Sequence, residues 1–472
     1  MLALLALGQL MFSLDLNIVF VALPEIAADL GFSAQTQQSV VGAYAVFAGG
    51  FLLLGGRAAD LLGRRRTFIA ALGLYGSASL AGGLATSPEV IIAARAVQGI
   101  GAALLLPSTL SLISAEFAEG PARNRALAVW GGAGASGLTL GALLGGVLTA
   151  GFGWSAVFFV NVPLAAFIAF AALAIIPRDQ RPDGSRRFDL PGALTVTAGS
   201  TLLVYALVEG PENGWTSSST VAAALLALVL LALFAVIETR TADPLMPARL
   251  LRNRSLLVAI TVTFVYMATF GALPYFLTVL FQTVQERTPL QTGMAFVVPS
   301  LAIAAGTQLG GRLTTRLGAR TTLLIGSGTG IGGTLALTLA FGSGSSYLIA
   351  APGLIVSGLG QGIVWTGMWI AAAAGVATRE QGVASGMAST TLNLGNAIGL
   401  ALLIAVANVG DDRLAGDQLR AATADGGRTA VTLAAVGMLL GGLLVLALPR
   451  SSARPVLEVA PAPGEEPLET LA

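Results

Sequence analysis

Two charged residues, Asp15 and Arg95, stand inside long apolar stretches of the sequence, and they are where chemistry is first legible. Asp15 falls nine residues before Pro24, which at the helical rise places it roughly 13 Å below one end of its helix. Arg95 falls seven residues after Pro88 on the next helix but two, roughly 10 Å below the same surface. The two depths agree to within one turn. A charge at the centre of a membrane helix costs on the order of 2.5 to 3.5 kcal/mol, so both side chains are expected to face the protein interior or a watery cavity. Pairing lowers that cost. Two readings remain open: Asp15 takes and releases a proton while Arg95 tunes it, or the two form an ion pair that only locks their helices together.

Further candidates follow from spacing. Arg95, Gln98, Gly99 and Ala102 recur at i, i+3, i+4 and i+7, which gives that helix one polar, small-residue face, expected to line a cavity. For Gln98, hydrogen bonding between helices is an equal alternative. The fifth apolar span carries Gly131, Gly132, Gly134, Gly137, Gly141, Gly145 and Gly146. Small residues four apart let backbones approach closely, so tight packing is the plain reading and a hinge or gate the sharper one. Tyr266, Met267, Tyr275, Trp365, Met368 and Trp369 cluster in the second half of the chain. Trp365 and Trp369, one turn apart, could form a wall for a greasy organic substrate, against the alternative of lipid contact or packing. Asn393 and Asn396 are costly against lipid and are expected to point inward, as hydrogen-bonding candidates for a ligand.

The elements that must hold these residues are membrane helices. Of the 472 residues only 10% are charged and 55% are hydrophobic, against about a quarter charged in a soluble chain. The uncharged runs repeatedly reach the roughly 20 residues a spanning helix needs, and they do not alternate as barrel strands do. Spans are expected from residue 1 to about Pro24, then near 37 to 55, 67 to 86, 90 to 114, 126 to 150 and 154 to 176; near 190 to 209 and 217 to 237; and near 255 to 281, 291 to 311, 321 to 341, 347 to 375, 382 to 408 and 429 to 448. The total is fourteen, arranged six, two, six. With the N-terminus inside, 20 of the 25 basic residues, all arginine, fall on the cytoplasmic side and four (Arg287, Arg413, Arg420, Arg428) outside, as the positive-inside rule requires of an even span count. The apolar start without a basic region argues against a cleaved signal. The Pro-rich tail from Ser451 reads as disordered.

Composition also excludes classes of function. The chain has no cysteine and no histidine, which removes disulfides, thiolate chemistry and the usual zinc sites, so no metal site is expected and proton chemistry falls to carboxylates. A net charge of +1 without a basic stripe argues against a nucleic-acid partner. No intramembrane carboxylate pair is present, and an enzyme is not expected.

One charged stretch, Gly56-Arg57-Ala58-Ala59-Asp60-Leu61-Leu62-Gly63-Arg64-Arg65-Arg66, reads as a short loop between two spans. A degenerate copy recurs at Gly311 to Arg320, with its two glycines again seven apart and Thr315 where Asp60 stands in the first. Here the chain resembles the major facilitator superfamily, and specifically its fourteen-helix drug/proton antiporter branch. The charged stretch resembles that superfamily's loop between helices 2 and 3. Leu14 to Pro24 is similar to the branch's first-helix motif, with Asn17 and Phe20 departing from it, and Arg95 to Ala103 to its fourth-helix motif. Trp154 to Pro163 resembles the sixth-helix motif with Ser155 for an arginine; Gly141 to Gly146 resembles the fifth-helix antiporter motif with Ala142 for its proline.

The resemblance implies an all-α integral membrane protein of the major facilitator fold. Its two six-helix bundles, 1–177 and 255–449, would be joined by two inserted helices with their linkers, 178–254, and followed by a tail, 450–472. It implies alternating access around a central cavity, a gate formed between the bundles by Gly56, Asp60, Gly63 and Arg64, Arg65 and Arg66 with Glu116 as a partner for the arginines, and an antiporter helix carrying Gly137, Gly141, Gly145 and Gly146. Asn17, Gln98, Tyr266, Trp365, Trp369, Asn393 and Asn396 are the expected cavity residues, and the charged latch is expected on one side only. The reading is a proton-coupled exporter of hydrophobic or amphiphilic small molecules in a bacterial inner membrane, monomeric, without cofactor and driven by the proton gradient. Symport of a metabolite with protons, or a membrane sensor that moves nothing, are the alternatives.

Overall fold

The computed structural model of the chain describes residues 1–32, 39–179, 189–241, 244–246, 248–287, 289–342, 346–377, 380–407 and 416–449. The expected tail, 450–472, and Arg181, Arg186, Arg187, Arg379 and Arg413 of the sidedness count lie outside the described residues. All regular structure among the described residues is helical. The first six rods are α1 (Leu2–Leu30), α2 (Ser39–Leu62), α3 (Arg64–Gly83), α4 (Pro88–Glu116), α5 (Pro121–Phe152) and α6 (Ala156–Ile175). Then come α7 (Leu190–Asn213) and α8 (Ser218–Arg240). The last six begin with α9 (Arg254–Val284), which is interrupted by a 3-10 turn at Phe270–Ala272. The helix Pro289–Leu337 is bent at Gly318 (φ 80°, ψ 163°) into α10 (289–317) and α11 (319–337). The chain closes with α12 (Tyr347–Ala373), α13 (Gln381–Ala407) and α14 (Gly416–Val445).

Eleven segments among the described residues are long and apolar enough to cross a membrane. One of them, Gln291–Ala340, covers both α10 and α11, and α5 contributes the shorter apolar stretch Leu143–Phe152; α3, rich in glycine and other small residues, lies outside that set. Apolar residues such as Leu225, Leu228, Val229 and Val236 are exposed along α8, as lipid contact demands.

The helices run further than hydropathy implies. The stretch expected to be a loop after the second span is mostly helix: α2 continues through Ala58, Ala59, Leu61 and Leu62, and Gly63 alone (φ 103°, ψ 140°) turns the chain into α3. Alanine, leucine and arginine favour helix whether or not hydrocarbon surrounds them, and only glycine takes that turn without strain. Asp60 therefore stands on a rigid rod. At the other end of the chain, α14 begins at Gly416 rather than near 429, so Arg420 and Arg428 are helical.

The rods α1 to α6 pack on one another, as do α9 to α14, while α7 and α8 form a hairpin whose α7 lies on α2. A Cβ on Gly50 would sit 2.1 Å from Thr201 Oγ1, and Ser200 Oγ donates to the Gly50 carbonyl at 2.8 Å. The two halves meet through α2 with α13, α4 with α13, and α5 with α10 and α12. Four hydrogen bonds that join the halves lie toward the ends of the rods near Gly63 and Gly318. The molecule is closed there.

Candidate functional site

Asp15 and Arg95 meet inside the first half, both fully buried. Arg95 Nη1 donates to Asp15 Oδ2 at 2.8 Å, and the side chains of Asp15 and Arg95 are 0% and 2% exposed. Asp15 Oδ1 accepts from Gln98 Nε2 at 2.9 Å and from Asn161 Nδ2 at 2.8 Å. Gln98 Nε2 also donates to Ser79 Oγ at 2.9 Å, and Gln98 Oε1 accepts from Arg95 Nη1 at 2.7 Å. Arg95 Nε reaches the Val40 carbonyl at 3.2 Å, and its guanidinium lies 4.2 Å from the centre of the Tyr44 ring.

Backbone approach sets this geometry. A Cβ on Gly99 would fall 2.6 Å from the Tyr44 carbonyl, so glycine brings α4 onto α2 and sets Arg95 over Tyr44. A Cβ on Gly141 would fall 2.3 Å from the Leu14 carbonyl, so α5 lies against the turn of α1 that carries Asp15. Gly137 and Gly145 continue this seam along Leu10, Ser13 and Ile18. Gly146 does not belong to it: one residue round the helix from Gly145, it is exposed with nothing within 4 Å of a Cβ.

The chemistry of the cluster is that of an ionised acid. Guanidinium and amide N–H groups only donate, and three of them aim at a carboxylate that in this form only accepts. Protonating Asp15 sets an O–H against donors, so at least one of these contacts must break. Gln98, expected on a cavity wall, is instead consumed in this cluster, with both ends of its amide engaged. Asn161 lies inside the Trp154 to Pro163 stretch that resembles the sixth-helix motif, and an asparagine in an otherwise apolar span is the signal that marks it.

The gate divides differently from expectation. Asp60 does cross between the halves: Oδ1 accepts from the Gly382 backbone N–H at 3.0 Å and Oδ2 from that of Val383 at 2.9 Å. These are free donors of the first turn of α13. Gly56 permits the approach, since a Cβ there would lie 2.2 Å from the Gly382 carbonyl. The arginines find partners within their own half. Arg64 Nε donates to Ser111 Oγ at 2.7 Å, and the backbone N–H groups of Arg65 and Arg66 donate to the Asp179 carboxylate at 3.0 Å each. That carboxylate also fills the space beside Gly63, 2.4 Å from where a Cβ would be. Glu116 is exposed and makes no ion pair among the described residues. The last turn of α4 points it into water, where solvation replaces a partner.

The degenerate copy makes a second, neutral contact: Asn124 Nδ2 on α5 donates to Thr315 Oγ1 on α10 at 3.1 Å. Nearby, Gln308 Nε2 donates to the Ala128 carbonyl at 3.0 Å. Further in, Trp130 of α5 stacks on Trp365 of α12 (6.3 Å between centres, 11° between planes) and meets Trp369 edge-on at 5.7 Å. Trp365 rests against Gly131, 2.8 Å from where a Cβ would be, and Tyr266 lies 5.7 Å from Trp365. The tryptophans thus bridge the halves instead of lining one. Trp130 was missed, although a lone Trp beside Gly131 and Gly132 in a small-residue helix marked the place. Tyr275 stands apart and exposed.

The remaining cavity candidates are half-buried. Asn17 lies two residues beyond Asp15, Asn393 donates to the Ser389 carbonyl of its own helix at 3.0 Å, and Asn396 Oδ1 lies beside Gly271 at the interruption of α9.

Residues 5–400 match the sequence model of the Major Facilitator Superfamily. The chain is 37% identical over 446 residues to the puromycin resistance protein pur8 of Streptomyces alboniger, covering 92% of this chain and 87% of that protein. It is 38% identical over 413 residues to the cephamycin export protein CmcT of Amycolatopsis lactamdurans, covering 84% and 82%. Among solved structures, the human organic anion transporter MFSD10 (TETRAN) superposes with a TM-score of 0.66 at 17% identity, over 94% of this chain and 98% of that one. The last likeness is one of fold.

Proposed function

The chain belongs to the major facilitator superfamily, and from that premise we propose that it exports hydrophobic or amphiphilic small molecules from a bacterial cell in exchange for protons. The observation that carries the proton part is the Asp15 cluster: an acid 0% exposed in the middle of a membrane helix, held by groups that must rearrange when it is protonated. Intramembrane acids of this kind belong to proton relays more often than to scaffolding. Export is supported by the names of the relatives, one a resistance protein and one an export protein.

The arginine-rich face is the cytoplasmic one by the positive-inside rule, with fourteen spans, both termini inside and the cytoplasmic membrane as the site. The closure near Gly63 and Gly318 then corresponds to the outward-facing member of an alternating-access pair. A proton entering from outside neutralises Asp15 and loosens Arg95. The halves rock, the contacts of Asp60 and Thr315 part, and substrate enters from the cytoplasm or the inner leaflet. The half-buried Asn393 and Asn396 and the buried Tyr266, with the tryptophan bridge, are the proposed substrate contacts. One chain suffices, and no cofactor is involved.

Reconstituted vesicles test this. With a lipophilic fluorescent cation as substrate, adding it to wild-type vesicles moves protons in the opposite direction, and Asp15→Asn abolishes that movement while substrate binding persists. Proton movement that survives in Asp15→Asn removes Asp15 from the mechanism.

A further inference from the structure

One member of the Asp15 cluster is only half used. Asn161, on the first turn of α6 after Val160, is fully buried, and its Nδ2 donates to Asp15 Oδ1. Its Oδ1 is buried and has no hydrogen-bond partner among the described residues. A buried carbonyl without a donor is unfavourable, and native structures rarely leave one without a reason.

The missing partner is a donor, and the cluster generates one when Asp15 is protonated. Few neighbours can accept that O–H. Arg95 has no acceptor atom. Gln98 Oε1 already takes Arg95 Nη1, and Ser79 Oγ already takes Gln98 Nε2. From α2, Tyr44 lies with its ring against Arg95, and from α3 Tyr75 approaches the acid; both buried hydroxyls also lack a hydrogen-bond partner among the described residues, which makes Tyr75 the rival acceptor. From α5, Gly141 lies against the Leu14 carbonyl. Asn161 is the neighbour that already touches the acid and carries an idle acceptor on the same planar group.

We propose that Asn161 is a two-state partner of Asp15. Its amide donates to the ionised carboxylate and, after a half-turn about its Cβ–Cγ bond, its Oδ1 accepts the O–H of the acid. This rests on the reading of Asp15 as the proton carrier. The step balances simply: one proton leaves water, one O–H bond forms on Asp15, and the net charge of the Asp15–Arg95 pair rises from zero to plus one. Donor and acceptor are the two ends of one flat group, so the exchange needs no change of volume in a packed interior. Asn161 is therefore a positioning residue that acts through Asp15, satisfying each of its two protonation states in turn.

Infrared difference spectroscopy of the full-length wild-type protein in lipid, with isotope-labelled asparagine and no substrate present, tests this directly. A pH step that protonates Asp15 shifts one asparagine carbonyl band, and that shift disappears in Asp15→Asn and in Asn161→Leu. In transport, Asn161→Leu leaves the ionised acid with the donors Arg95 and Gln98 but strips the protonated acid of its acceptor. The pH profile of substrate-driven proton movement moves toward acid by about one unit, while Tyr75→Phe leaves it in place. The proposal is overturned if no asparagine band changes while the Asp15 acid band does, or if Tyr75→Phe moves the profile and Asn161→Leu does not. Absence of any Asp15 acid band across the pH range overturns the proton-carrier reading itself, a result distinct from either.

Discussion

Where α2 turns into α3, and where α10 turns into α11, the backbone does the same thing twice. Gly63 and Gly318 both take the turn at positive φ (103° and 80°), and seven residues earlier Gly56 and Gly311 both lie against the opposite half. Four residues beyond those contact glycines the copies diverge. Asp60 sets a charge on two N–H groups at the start of α13, whereas Thr315 shares one neutral hydrogen bond with Asn124 of α5. Charge-assisted bonds are roughly twice as strong as neutral ones, and the helix N-terminus adds its own attraction for an anion. The repeat thus fixes a common geometry through its glycines while leaving the strength of each latch to one side chain. Closure near Gly63 and Gly318 is held mainly on the α2 side.

The largest effect is expected where no side chain can yield. A Cβ on Gly56 would meet the Gly382 carbonyl at 2.2 Å, backbone against backbone. A Cβ on Gly311 would meet the Ala128 methyl at 2.8 Å and the Asn124 carbonyl at 3.1 Å, a gentler overlap. Because the chain has no native cysteine, a single reporter cysteine reads the closed state cleanly. Ser385, buried on α13 beside the α2 contact, is a near-isosteric position for it. Gly56→Ala is predicted to raise the labelling of a cysteine at Ser385 by a water-soluble maleimide about 100-fold, and Gly311→Ala by about 10-fold, as overlaps of roughly 3 and 1.5 kcal/mol would. Equal effects would mean that the two contacts are equally close, against the geometry.

Asp60→Asn comes next. The amide has the shape of the acid but carries no charge, and only its oxygen accepts, so one of the two N–H groups of α13 loses its partner. Hydrogen bonds to charged groups contribute about 1.5 to 3 kcal/mol. A 10- to 100-fold rise in labelling at Ser385 is expected, with transport reduced in parallel because the outward-facing state is under-populated. If labelling is unchanged while transport falls, Asp60 acts on something other than closure.

These contrasts also mark how far the sequence reaches. The Asp15–Arg95 pair was legible because depth in a helix is arithmetic from a proline, and the repeat because glycine spacing survives even when its acid does not. What escaped is set by tertiary neighbours. Arg64, Arg65 and Arg66 looked like the strong half of a gate, but Ser111 takes the Arg64 side chain and Asp179 the backbone N–H groups of Arg65 and Arg66. Spacing along α4 placed Gln98 on a polar face without saying that the face was filled by Asp15, Arg95 and Ser79. The extension of α2 to Leu62 was hidden because hydropathy reports where hydrocarbon ends, while helix propensity does not stop there. Trp130 gained its meaning only from the Gly131 recess that seats Trp365.

The smallest expected effect is the sharpest check on the asymmetry. Thr315→Val keeps the branched shape and removes the hydroxyl, so Asn124 loses its partner on α10 and Thr315 no longer donates to the Gly311 carbonyl of its own helix. That second bond is a local one of a kind helices tolerate losing. The net worth of a neutral hydrogen bond is about 0.5 to 1.5 kcal/mol, and Asn124 is buried, so water returns little of it. Labelling at Ser385 should therefore rise about 2- to 10-fold, and transport should fall less than in Asp60→Asn. The double variant Asp60→Asn, Thr315→Val should then equal the product of the single effects, because the two latches share no residue and act on different helix pairs. A double effect well above the product would mean that each latch holds only while the other is closed. The copies would then be two parts of one lock, and the loss of the acid at Thr315 would have spared the gate nothing.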